Sequence, residues 1–218
     1  MYFESRSQAG RVLATELVER YRYENTIVVA LSVGGVPVGL SVATALHCML
    51  TLLVSENIEV PGEGVSFGSV SQEGDFTYNS AFSAGEIDGY TSEFHGYLSE
   101  QQRMAFSKLN QLIGDGGTIS REMLRDRVII LVSDGFSDGS TLGVALDFLK
   151  PVRYVKLIVA APVASVQAVD KLHVEADELH ILDVKENYMS TDHYFEQNDV
   201  PSMEDAVKEI NQAILNWK

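Results

Sequence analysis

Apolar positions recur along this chain in two rhythms. In "SQAGRVLATELVERYRY" (7–23), Val12, Leu13, Leu17, Val18 and Tyr21 keep the three- and four-residue spacing of one helix face. "NTIVVALS" (25–32) is instead a short, β-branched apolar run without alternation, which predicts a strand buried on both faces, as in a parallel sheet. The same contrast repeats. "LTLLVS" (50–55), "DRVIILVS" (126–133), "RYVKLIVAAPVA" (153–164) and "ELHILDV" (178–184) read as further buried strands. "VGGVPVGLSVATALHCML" turns through Gly34 and Gly35 into a helix, and the spacing predicts others over 92–113, 140–150, 165–174 and 202–218. "GDGG" (114–117) stops the first of these four, Pro151 ends the second, and Ser202 is placed to cap the last. Strands alternating with helices predict an α/β fold with a doubly wound parallel sheet. Residues 56–90 break the rhythm: Gly, Ser and Glu dominate, with short alternating pieces at "GVSFGSV" and "DFTYN", read as a small β excursion or flap.

Composition narrows the class. A length of 218 residues suits one large α/β domain, or one domain with a subdomain. No apolar run reaches the roughly 18–20 residues of a membrane span. The start "MYFESRSQAGR" has neither the basic nor the apolar region of a signal peptide. Cys48, the one cysteine, has no partner for an internal disulfide and fits a reducing cytoplasm; in "ATALHCML" it reads as a buried helix residue. The net charge of −15 argues against nucleic acid and anionic membrane as partners, since Lys and Arg dominate affinity for phosphate backbones.

Two turns carry candidate chemistry. Ligands of open α/β sheets bind at the carboxyl ends of strands. "LSVGGVPVG" and "VSDGFSDGST" each join a strand to a helix there, with glycines that allow close backbone approach and helix N–H groups that suit an anion. Either turn alone is better read as a simple chain reversal. The five histidines (47, 95, 173, 180, 193) show no metal-ligand spacing, and no G-x-S-x-G elbow is present. His180 reads as a packed strand residue. His193, Tyr188 and Tyr194 are candidates to touch or stack on a ligand, with packing as the alternative.

Seven segments together resemble the type I phosphoribosyltransferases, in particular the bacterial branch known as predicted phosphoribosyltransferases. They are "FESRSQAGRVLA" (3–14), "VVALSVGGVPVG" (28–39), "VPGEGVSFGSV" (60–70), "VIILVSDGFSDGST" (128–141), the strands "VAAPVAS" and "ADELHIL", and the tail "HYFEQNDVPSMEDAV" (193–207). The resemblance covers nearly the whole chain. It implies a flavodoxin-like sheet of about five strands, with 128–133 inside the sheet, in a single domain over 1–218 whose hood or flap spans about 56–113. It also implies transfer of phosphoribosyl from 5-phosphoribosyl 1-diphosphate to a nitrogen base, a place in nucleotide metabolism, a Mg2+ cofactor if the enzyme is active, a phosphoribosyl or nucleotide-like ligand, and a homodimer. By the same resemblance the ligand site comprises Val33, Gly34, Gly35, Ser133, Asp134, Gly135, Ser137, Asp138, Gly139, Ser140 and Thr141, with Asp134 holding the ribose hydroxyls.

The chain departs from the family pattern in one direction. Ser133 replaces the first acidic residue of V-I-L-V-D-D-G-x-A-T-G-x-T, Asp138 replaces the Thr that opens the phosphate turn, and Val33 replaces an Arg. Glu56 and Asn57 stand where a basic pair follows the second strand. Each change removes positive charge, removes a ribose ligand or adds negative charge. Three readings stay open: a working transferase in which a residue such as Arg6 or Arg103 compensates; a pseudoenzyme serving as a binding or regulatory protein; and a cation site at Ser133, Asp134 and Asp138.

Overall fold

A computed structural model of the chain describes residues 2–79, 81–113, 119–137 and 140–215. The chain opens with α1 (Arg6–Tyr21), β1 (Thr26–Ala30), α2 (Gly35–Leu46) and β2 (Met49–Leu52). It continues through β3 (Ser55–Glu59), β4 (Ser66–Ser71), β5 (Phe76–Tyr78), α3 (Ala84–Glu93), α4 (His95–Ile113) and the short α5 (Arg121–Leu124). It ends with β6 (Val128–Val132), α6 (Ser140–Leu149), β7 (Lys156–Ser165), α7 (Val166–Glu175), β8 (Glu178–Lys185) and α8 (Met203–Leu215).

Five strands form one parallel sheet in the order β2-β1-β6-β7-β8. The continuous apolar runs are explained by what lies on either side. Val28, Ala30, Ile130, Val132, Ile158 and Ala160 pack with α1, α2 and α8. The intervening Ile27, Val29, Ile129, Leu131, Leu157 and Val159 pack with α5, α6 and α7. Successive side chains of a strand point to opposite faces, so a sheet covered twice needs an apolar residue at every position. Each of the Val, Leu and Ile side chains stabilises the fold by about 1.5–3 kcal/mol on burial, and Ile130→Ala would cost about 2–5 kcal/mol through the cavity it leaves.

β3, β4 and β5 form a separate antiparallel sheet, and its own apolar cluster joins Ile58, Phe67 and Val70 to Leu98, Ala105 and Leu109 of α4. Glu56 of β3 pairs with Lys108, and Asn57 accepts a hydrogen bond from Ser69 at 2.6 Å.

Two expectations are corrected. The single helix over 92–113 is two helices that meet at Phe94, the first beginning inside the stretch read as a β excursion. Ser83 starts α3 with a capping box: its hydroxyl accepts from the Glu86 N–H while the Glu86 carboxylate accepts from the Ser83 N–H. None of the α3 residues is fully buried, and its apolar side is only Ile87 and Tyr90, which with Phe94 pack against the cluster of the small sheet. Cys48 is buried as expected, but it lies in the turn between α2 and β2 rather than in a helix. Burial pushes its thiol up to about 12, against smaller opposing effects of a backbone hydrogen bond and Arg127. His180 is packed on β8, edge-on to the Tyr21 ring with centroids 6.0 Å apart.

Candidate functional site

The strand order places a switch point between β1 and β6: the chain leaves β1 toward β2 on one side, while β6, β7 and β8 fill the other. Crevices at such points, outside the carboxyl ends of the strands, are where open α/β sheets bind ligands. Ser32 follows β1 and Asp134 follows β6, and the two side chains meet there, Ser32 Oγ donating to Asp134 Oδ1 at 3.0 Å. Ser32 Oγ also accepts from the Gly35 N–H at 2.9 Å, which fixes the start of α2.

Gly34 has a steric role. A Cβ at this position would overlap the Asp134 carboxylate, coming within 2.8 Å of Cγ. The missing side chain is the notch that receives the carboxylate, so the glycine turn after β1 and the acidic turn after β6 fit each other. Beside them Ser133 is buried and donates to the Gly135 carbonyl at 2.9 Å. The turn is then anchored on β7. Phe136 N–H donates to Val163 O at 3.1 Å, Ser165 N–H donates to Phe136 O at 2.9 Å, and Ser165 Oγ donates to Ser137 O at 2.5 Å.

The second oxygen of Asp134 belongs to Arg6. Arg6 Nε donates to Asp134 Oδ2 at 2.8 Å, and the two residues are 1% and 8% exposed. The same guanidinium pairs through Nη2 with Asp192, donates through Nη1 to Asn198 Oδ1 at 3.2 Å, and lies 3.7 Å from an Asp199 oxygen. Its flat face covers the Phe195 ring at 4.5 Å. Burial works against the guanidinium charge, but the hydrogen bonds and charges of Asp134 and Asp192 outweigh it, and the net shift is upward. Arg6 is therefore a fixed cation gathered among three carboxylates.

The tail that supplies these partners crosses the crevice. Phe3 pairs with Phe195 in an isolated parallel bridge, and Phe3 N–H donates to Tyr194 O at 2.9 Å. Tyr188 and Thr191 lie over Gly135: a Cβ there would come within 2.5 Å of the Tyr188 hydroxyl. That hydroxyl is 2.7 Å from Thr191 Oγ1. Burial pushes the Tyr188 phenol up to about 12, opposed by the Thr191 hydrogen bond and reinforced by the charge of Asp134.

Among the residues singled out from sequence, Gly34, Gly35, Ser133, Asp134 and Gly135 come together at the crevice. Val33 packs at the edge of the core, and Ser137 turns toward β7. Ser140 and Thr141 open α6. Asp138 and Gly139 lie outside the described residues. Arg6 is at the crevice, whereas Arg103 sits exposed on α4 and pairs with Glu100. His193 is bonded to the Tyr2 hydroxyl at 3.0 Å, and Tyr194 is buried. Ser32, Thr191, Asp192, Asn198 and Asp199 were not picked out as site residues. Ser32 had a local signal, a hydroxyl three residues before Gly35 at the start of α2, whereas the roles of the other four depend on a tail folded back across the sheet.

Residues 4–196 match the family model described as phosphoribosyl transferase domain. The chain belongs to that family. Two proteins from two strains of Mycobacterium tuberculosis, both carrying the provisional name phosphoribosyl transferase, are 26% identical to it over 179 residues, 81% of this chain. The chain spans only 39% of the length of those relatives. The crystal structure of TT1426 from Thermus thermophilus is similar over 100% of this chain and 99% of that one, with a TM-score of 0.73 and 22% identity. The AQ2163 protein of Aquifex aeolicus is similar over 94% and 85%, with a TM-score of 0.50 and 11% identity. The parallel five-stranded sheet with helices on both faces is the α/β fold of the type I phosphoribosyltransferases.

The described residues at the crevice of this phosphoribosyl transferase domain do not fit the Mg2+ that the family implies. The carboxylate at the strand end, Asp134, gives one oxygen to a guanidinium and the other to Ser32, and its neighbour is Ser133. Among the described residues no group of three or more His, Cys, Asp or Glu side chains is arranged to hold a metal ion. No described helix is long and apolar enough to cross a membrane.

Proposed function

We propose that this phosphoribosyl transferase domain no longer transfers phosphoribosyl from 5-phosphoribosyl 1-diphosphate, and that it binds a phosphoribosyl or nucleotide-like ligand at the crevice between β1 and β6. The observation that carries this reading is the double engagement of Asp134 by Arg6 and Ser32. A carboxylate that is 8% exposed, with one oxygen on a buried guanidinium and the other on Ser32, keeps one acceptor site on each oxygen and offers a pair of ribose hydroxyls little access to it. The sequence departures act in the same direction. A carboxylate about 4 Å from a phosphate charge costs roughly 4 kcal/mol at an effective dielectric of 20. Each charge-assisted bond to the diphosphate that is lost costs about 1.5–3 kcal/mol. Every 1.4 kcal/mol or so is tenfold in affinity, so a few such changes remove the donor from its useful concentration range.

One observation favours a working transferase instead: Arg6 brings a guanidinium into the crevice, where the pattern has lost the basic residue at Val33. A single assay separates the two readings. The protein is incubated with 5-phosphoribosyl 1-diphosphate, Mg2+ and a panel of purine and pyrimidine bases, and diphosphate release is followed. No release, together with calorimetric binding of ribose 5-phosphate or a nucleoside monophosphate, is the expected result. Base-dependent diphosphate release overturns the proposal.

A further inference from the structure

The partners of Arg6 are not equivalent. Asp134 is buried, seated in the Gly34 notch and bonded to Ser32. Asp199 is committed to the start of α1, its two oxygens accepting from the N–H groups of Arg6 at 2.9 Å and Ser7 at 3.2 Å. Asp192 has neither support. Its side chain is 66% exposed, and it sits in a single 3-10 turn, Thr191–Tyr194, preceded by Ser190, whose side chain makes no capping bond. The tail around it is better fixed: Tyr194 Oη accepts from the Met189 N–H at 3.2 Å, and Glu196 N–H donates to Phe3 O at 2.9 Å.

We propose that the Asp192 carboxylate is an exchangeable occupant of the Arg6 guanidinium, whose place is taken by the phosphate of a small phosphomonoester. The geometry supports exchange at this position alone. Nη2 of the buried Arg6 is covered by the Asp192 carboxylate, whose side chain is 66% exposed, and a planar guanidinium matches phosphate oxygens as well as it matches a carboxylate. The Tyr188 and Thr191 hydroxyls, 2.7 Å from each other, lie over Gly135 next to Asp134. The chain thus holds its own surrogate for the anion, and Asp134 on the buried side keeps the guanidinium oriented when Asp192 leaves. This inference rests on the binding role proposed above and specifies how the site is regulated: the tail's carboxylate and the ligand's phosphate exclude each other.

The test compares the full chain with two variants, by calorimetric titration with inorganic phosphate and with ribose 5-phosphate. Asp192→Ala removes the surrogate. Glu186→Ala removes one exposed charge from the same tail without touching Arg6, and so measures the general effect of net charge. Asp192→Ala is expected to bind both probes about tenfold more tightly than the parent, and Glu186→Ala to match the parent. Equal affinities in all three proteins overturn the proposal, as does an equal gain in both variants. Arg6→Gln should abolish the gain in the Asp192→Ala background; if that double variant does not fold, the Asp192→Ala comparison decides. Diphosphate release from 5-phosphoribosyl 1-diphosphate would sink the functional reading without altering this comparison.

Discussion

Arg6 Nε and Asp134 Oδ2 lie 2.8 Å apart although 128 positions separate them in the chain, and they meet at the carboxyl end of the central sheet. The bond joins the first residue of α1 to the turn after β6. It makes the acidic residue of that turn half of an internal ion pair.

Removing one partner should therefore be costly. Asp134→Ala leaves a buried guanidinium with only its tail partners and is expected to lower unfolding free energy by about 3 kcal/mol, the low end for breaking a buried pair. Urea unfolding at neutral pH reads this directly. A loss below about 1 kcal/mol would class the pair with exposed salt bridges.

Gly34→Ala tests the notch. The added methyl would collide with the Asp134 carboxylate, which Arg6 and Ser32 hold in place. Overpacking of this kind costs about 2 kcal/mol. For a chain of this size that lowers Tm by about 4–8 °C. Combining it with Asp134→Ala should recover part of the loss, because the collision partner has gone. Strictly additive effects would show that the two residues do not share a seat.

Ser165→Ala should loosen the turn from the β7 side. Its hydroxyl accepts from the Ala168 N–H at 2.9 Å as the cap of α7 and donates to Ser137 O. Loss of a cap costs about 1 kcal/mol, and the orphaned Ser137 carbonyl adds to it. Hydrogen exchange should quicken at Phe136 and at the first turn of α7, while β1 stays protected.

Acid sensitivity is expected at the opposite end of the sheet. Hydrogen bonds from Lys156 and Tyr21 hold Glu178 down to about 2 from its ordinary 4.5, against a smaller desolvation effect. A depressed carboxylate contributes stability that is fully present above its unfolded value and is lost as pH falls from about 4.5 toward 2. Glu178→Gln should therefore be less stable than the parent at pH 7, and the gap should narrow between pH 4.5 and 2. A gap independent of pH would remove the charge-based explanation. Tyr21, shifted upward by burial and by Glu178, stays protonated throughout this range.

The sequence by itself determined the layered core. Runs such as Ile27–Ala30 and Val128–Val132 are apolar at every position, and only a strand covered on both faces can bury such a run. Glycine turns and helix spacing then place the connections. Local chemistry was legible too where the signal was noticed: Ser202 caps α8 as expected, its hydroxyl accepting from the Asp205 N–H at 3.2 Å. The α3 capping box at Ser83 and Glu86 was equally local, but the helix it starts carries only a short, half-buried apolar side at Ile87 and Tyr90. The crevice was legible only in part. Gly34, Gly35, Ser133 and Asp134 stand out because strand ends and turns are local features. The ion pairs do not, because Arg6 lies 128 positions from Asp134 and 186 from Asp192, and the three meet only when α1 and the tail fold against the sheet. Which charge neutralises which in a buried site is set by distance and desolvation, and only the tertiary structure fixes both.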